Sequence, residues 1–166
     1  VVQTAEKLSA DTSEPLAIII CPGRDEFRSN RVDFEDAWKR FDEFLLPVVK
    51  STDLTFILEW QTRQEGPMGV FPTPQMAIEW SHRFNDQVGR RAMGVLPHFA
   101  QSLSVGLSIA DTVRMIRDAG LFFGWVHVNG GPAAPYPLVD EINAVRRGDL
   151  LASDVPFAPV LDVPPG

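Results

Sequence analysis

The chain has 166 residues, a length suited to one hydrophobic core, and 45% of them are hydrophobic, with four Trp and eleven Phe, which excludes disorder as its overall state. A net charge of −7, from 22 acidic and 15 basic side chains, repels phosphate backbones and argues against nucleic-acid binding. One cysteine, Cys21, excludes an intrachain disulfide framework and a cysteine-based metal cluster, and no apolar run is long enough to span a bilayer, so the expectation is a soluble, cytoplasmic protein with no membrane partner.

Residues 1–15 read as a polar lead-in. Leu16 to Cys21 is a continuous apolar run between Pro15 and Pro22-Gly23, the pattern of a central strand ending in a turn. Phe34, Trp38, Phe41, Leu45 and Val48 then repeat at helical spacing, with Asp33 as N-cap, Glu35/Lys39 and Asp36/Arg40 paired one turn apart, and Pro47 expected to end or bend the helix. From Asp53 to Gln61 the period is two, Leu54, Phe56, Leu58 and Trp60 opposing Thr55, Ile57, Glu59 and Gln61, which predicts a strand with one partly solvated face. Arg63 to Pro74 carries two Gly and three Pro and reads as a long connection, or as a bulged hairpin if Val70 and Phe71 briefly pair.

Thr73-Pro74 is a helix opening, followed by the stripe Met76, Trp80, Phe84 and Val88, with Glu79/Arg83 and Asp86/Arg90 on the exposed side and closure between Gly89 and Gly94. Leu103, Val105, Leu107 and Ile109 alternate with Ser104, Gly106 and Ser108, the pattern of a strand. Ser108-x-x-Asp111 resembles a capping box for a helix closed by Gly120. Leu121 to Val128 is strand-like and runs into the turn Asn129-Gly130-Gly131-Pro132, after which Pro137 opens a last helix ending at Arg146, Arg147 and Gly148. The alternation predicts an α/β or α+β single-domain sandwich over 16–152, with a mixed four- to five-stranded sheet, about four helices chiefly on one face, and a Pro-rich tail over 153–166.

No phosphate loop, nucleophile elbow, HExxH or calcium-loop pattern is present. His82, His98 and His127 never stand three or four residues apart, so a zinc site would need assembly across the fold with carboxylates; no metal and no cofactor is expected. Cys21 at a strand end is either a buried, inert hydrophobe or a nucleophile whose base lies elsewhere in the fold. His127 reads as a satisfied strand histidine or as a base.

Whether the chain is an enzyme is left open by these residues. The leading expectation is a small acidic protein-binding or assembly protein, such as an accessory subunit, a phage or secretion-system component, or an inhibitor of a basic partner, acting through a protein partner or self-association. Its interface would be Arg63, Glu65, Met68, Val70 and Phe71, because a long loop mixing apolar anchors with charge has interface composition. The alternative is an enzyme or small-molecule-binding domain with a polar pocket at the strand ends, formed by Arg24, Asp25, His127 and Asn129.

Overall fold

Two of the apolar runs become neighbouring strands of one parallel sheet. The computed structural model describes residues 1–12, 16–22, 33–62, 69–128 and 139–149. In chain order the elements are α1 (Val2–Thr12), β1 (Ala17–Ile20), α2 (Phe34–Lys50), β2 (Thr55–Leu58), α3 (Pro74–Val88), β3 (Met93–Val95), α4 (Phe99–Ser104), α5 (Ile109–Asp118) and α6 (Val139–Arg147). The sheet order is β1-β2-β3 with both pairings parallel, Ile19 opposite Ile57 and Ile57 opposite Gly94. Among the described residues the protein is therefore a mixed α/β fold with six helices and a three-stranded, wholly parallel sheet, in place of the mixed four- to five-stranded sheet and four helices expected.

Helix starts follow their capping residues. The Asp33 side chain accepts the Asp36 N–H at 3.0 Å, Thr73 accepts the Met76 N–H at 3.2 Å ahead of Pro74, and Ser108 accepts the Asp111 N–H at 3.0 Å. Gly89, with φ 81°, closes α3. Helix α2 runs through Pro47 to Lys50; Pro47 and Glu43, four residues before it, are both exposed, so the hydrogen bond that proline forgoes falls on the water side. The pairs expected within helices are partly replaced by pairs between them. Arg83 reaches Glu35 at 2.8 Å, Arg146 reaches Glu79 at 2.8 Å, and Arg90 donates to the carbonyls of Val49, Thr52 and Leu54.

The core lies between the sheet and helices α2 and α3. Phe71 stacks on Trp38 at 5.8 Å between centroids, meets Phe41 at 5.7 Å and Trp80 at 5.0 Å, and Trp80 stacks on Phe84 at 4.7 Å. Each buried indole N–H has an acceptor: Val70 O for Trp38, Leu96 O for Trp60 and Asp42 Oδ1 for Trp80. Phe56 and Leu58 of β2 join this cluster, whereas Ile57, on the other face, is buried outside it. The alternation over 53–61 thus separates two buried faces of the middle strand, not a buried face and a solvated one.

Three further expectations are corrected. Among the described residues Leu16 to Cys21 supplies the edge strand β1, not a central one, with Ile19 and Cys21 exposed. The stretch 103–109 is the end of α4, a turn and the first residue of α5: Gly106 adopts φ 74°, and the caps His98 and Ser108 fix the starts of the two helices, which outweighs the two-fold apolar pattern. Within the lead-in, Val2–Thr12 form the helix α1, of which Val2 and Ala5 pack partly buried against the core, too slight a stripe to mark a helix in sequence. No helix among the described residues is long and apolar enough to cross a membrane.

Candidate metal centre

In a parallel sheet the groups that stand just beyond the C-terminal ends of neighbouring strands are brought side by side. Here Glu59 follows β2 directly and His98 stands three residues beyond β3. The Glu59 N–H donates to Ile20 O at 2.8 Å and the Leu96 N–H donates to Leu58 O at 2.8 Å, so the ladder continues past the strands and puts Glu59 on the face of Ile57 and Gly94, away from α2 and α3.

The third group comes from Leu121 to Val128, which lies along β3 as an extended segment. Val95 donates its N–H to Phe122 O at 3.3 Å, and His98 and His127 form a parallel bridge in which Phe99 N–H donates to His127 O and His127 N–H to Pro97 O. The first contact offsets the two segments by 28 residues (94 to 122) and the second by 29 (98 to 127), so one extra residue is accommodated between Phe122 and His127. With regular alternation from Phe122, position 126 would share the face of Phe122 and Gly124; the extra residue turns His127 to that face instead. Its seat is close: a Cβ on Gly94 would lie 2.2 Å from Phe122 O, and one on Gly124 would lie 3.5 Å from Ile57 Cδ1.

Glu59, His98 and His127 converge so that one ligand atom from each lies within 4.8 Å of the others. Glu59 Oε1 is 3.4 Å from His98 Nε2 and 3.3 Å from His127 Nδ1, and the two imidazole centroids are 4.4 Å apart. The side chains are graded in exposure, 3% for His98, 16% for Glu59 and 44% for His127, which leaves the His127 side open. Burial, and secondarily the neighbouring His127, lowers the His98 pKa to about 4, so this imidazole is neutral near pH 7.

The surrounding polar groups hold the constellation in place. His98 is also the N-cap of α4, its Nδ1 accepting the Gln101 N–H at 3.4 Å. Gln101 Oε1 accepts both the N–H and the hydroxyl of buried Thr62, at 2.9 and 2.7 Å, and Trp60 donates to Leu96 O. These bonds tie the segment leaving β2 to the segment leaving β3, and thereby set the spacing of Glu59 and His98.

Of the sequence-derived pocket, His127 is part of this centre, while Arg24, Asp25 and Asn129 lie outside the described residues. Glu59 and His98 were not among the expected site residues. Of the expected interface, Arg63, Glu65 and Met68 also lie outside the described residues; Val70 and Phe71 are buried in the protein's own core, at 8% and 0% exposure. Cys21, expected to be buried, is exposed one residue beyond β1. The sequence matches no known family model and no curated protein.

Proposed function

We propose that the protein is a metal-dependent enzyme domain in which Glu59, His98 and His127 hold one divalent transition-metal ion with an open coordination position. The observation that carries this reading is the spacing of the ligand atoms. Two ligands held about 2.1 Å from a tetrahedral Zn2+ stand about 3.4 Å apart, close to the 3.4 and 3.3 Å separating Glu59 Oε1 from the two histidine nitrogens. Two histidines and one carboxylate are also a donor set of catalytic zinc and non-haem iron centres, which retain positions for water or substrate. His98 is neutral near pH 7, and coordination through its Nε2 requires the ring proton to sit on Nδ1, which exchanges the 3.4 Å capping bond from the Gln101 N–H for the metal bond; the half-exposed His127 marks the side from which a small ligand enters. The chemistry open to such a centre is activation of a bound water or polarisation of a carbonyl oxygen.

The test is calorimetric titration of the chelator-treated protein with Zn2+, with Co2+ absorption reporting ligand geometry. The expected result is one ion per chain at micromolar or tighter affinity, weakened by roughly a hundredfold or more in Glu59→Gln and in His127→Ala. Equal binding by parent and variants, or no binding by the parent, would refute the centre.

A second reading as a protein-binding or assembly protein draws support from the exposed apolar side chain of Phe44 on α2, at 72% exposure; Ile19, 44% exposed, stands opposite Ile57 and so on the sheet face that carries Glu59. Sedimentation of Phe44→Glu against the parent protein tests it, and an unchanged mass for a parent that self-associates would exclude Phe44 as an anchor.

A further inference from the structure

A metal-ligating histidine ordinarily directs the N–H of its second ring nitrogen at a carboxylate, a carbonyl or water. His98 is set the other way round. As the N-cap of α4 it accepts the Gln101 N–H on Nδ1 at 3.4 Å, so the single proton of its ring sits on Nε2, facing Glu59 Oε1 at 3.4 Å. An ion at Nε2 moves that proton to Nδ1 and leaves two N–H groups face to face where a hydrogen bond stood. His98 and Gln101 are both buried, and Gln101 Oε1 already accepts the N–H and the hydroxyl of Thr62, so relief requires the backbone at the start of α4 to move. That helix is only six residues long. Its first turn holds the His127 segment, Phe99 N–H donating to His127 O at 2.9 Å, and its middle meets α5, the Thr112 hydroxyl donating to Ser102 Oγ at 2.9 Å.

Resting on the proposed metal centre, we infer that the ion and the first turn of α4 compete for His98, which makes α4 a metal-responsive element. In the metal-free protein the helix is capped and closed. When Glu59, His98 and His127 take the ion, the N–H···Nδ1 bond breaks, the Nε2–metal bond forms, and the start of α4 opens. The ring gains and loses no proton overall; one leaves Nε2 and one arrives at Nδ1. The coupling is reciprocal, so the capping bond given up weakens ion affinity by about five- to a hundredfold against the same three ligands with an acceptor facing Nδ1. The opened turn lies between the centre and α5, and carries the state of one to the other through the Ser102 and Thr112 hydroxyls.

The experiment records imidazole nitrogen spectra and amide hydrogen exchange of the 15N-labelled full chain, chelator-treated and then saturated with Zn2+. The expected His98 proton is on Nε2 before Zn2+ and on Nδ1 after it. A bound ion slows exchange generally by stabilising the folded state, as should be seen at Thr112, whose N–H donates to Ser108 O. Gln101 should do the opposite and exchange about tenfold faster or more. His98→Asn keeps a capping side chain without an imidazole, so it should lose roughly a hundredfold in Zn2+ affinity, and Zn2+ should no longer speed exchange at Gln101. A ring proton on Nδ1 in the metal-free protein overturns the competition and leaves the metal centre standing, as does slowing at Gln101 in step with Thr112 when Zn2+ is bound. Acceleration that persists in Zn2+-saturated His98→Asn likewise overturns it. A parent that binds no Zn2+ overturns both the centre and the competition.

Discussion

Replacing Gly94 by alanine is expected to weaken both folding and metal binding by one displacement. The added Cβ would sit 2.2 Å from the Phe122 carbonyl oxygen and 2.8 Å from the Phe122 ring, and a backbone oxygen cannot rotate away as a side-chain tip can. Relief requires the 121–128 segment to move outward by about 1 Å, at a cost of roughly 1–3 kcal/mol for overpacking and about 1 kcal/mol for the bond from Val95 N–H to Phe122 O. Gly94 does not adopt a positive φ, so alanine also gains about 0.5–1 kcal/mol by restricting the unfolded chain. The net expectation is a loss of roughly 1–3 kcal/mol in urea unfolding of the metal-free protein. The same shift carries His127, whose position must hold within about 0.2 Å for good metal coordination. Zn2+ affinity should therefore fall by about tenfold or more. Gly89→Ala is the control: its φ of 81° makes alanine strained but nothing lies within 4 Å, so it should cost about 1 kcal/mol of stability and leave Zn2+ binding intact. Unchanged stability and Zn2+ affinity in Gly94→Ala would show that the segment is not seated on β3 as described.

Phe71→Ala is expected to cost about 3–5 kcal/mol in chemical unfolding, because it vacates the space among Trp38, Phe41 and Trp80; a loss below about 1 kcal/mol, or altered association without a stability change, would contradict its core role. Acid should destabilise the metal-free protein through His98: above about pH 6.5 it is neutral whether folded or unfolded, whereas between that value and its folded pKa of about 4 only the unfolded chain takes the proton. Stability should thus fall as pH drops through that window, by up to about 3 kcal/mol, closer to about 2 kcal/mol after solvent screening at half-exposed His127, and His98→Asn should flatten the slope in pH-dependent unfolding curves. Cys21 is exposed and should react with a disulfide thiol reagent in the folded protein at a rate within about tenfold of that in denaturant; deep protection would place it in the interior instead.

Local signals translated well into structure where the cause is local. Asp33, Thr73 and Ser108 cap helices because their side-chain oxygens satisfy amides within three residues, and the apolar stripe Met76, Trp80, Phe84 is buried as its spacing predicts. Tertiary placement was less legible. Leu16 to Cys21 and Phe56 to Leu58 are both apolar, yet one is an edge and the other the middle, a difference made by partners far along the chain. The strand β3 is only Met93–Val95, too short for a period, and it is held from outside by Asn85, whose side chain accepts the N–H groups of Ala92 and Met93 and donates to Met93 O.

The candidate centre illustrates why a motif search passes over such a site. Glu59, His98 and His127 are separated by 39 and 29 residues, so no short window contains two of them, and the parallel register that aligns Glu59 with the chain after β3 depends on pairing across those gaps. Regular strand alternation over 121–128 would also assign His127 to the face opposite Phe122 and Gly124, because alternation has no means of registering one extra residue. One signal was nevertheless present. Each of the three groups stands at or just beyond an apolar run, Phe56 to Leu58, Met93 to Leu96, and Trp125 to Val126, and each is a residue type that binds cations. If these runs are parallel and adjacent, their C-terminal ends must lie together, and the polar groups after them become neighbours regardless of their distance in sequence. The inference needs the strand order as well as the strands, and that order is stored in buried contacts such as Trp60 with Leu96 and Thr62 with Gln101, which no periodicity displays.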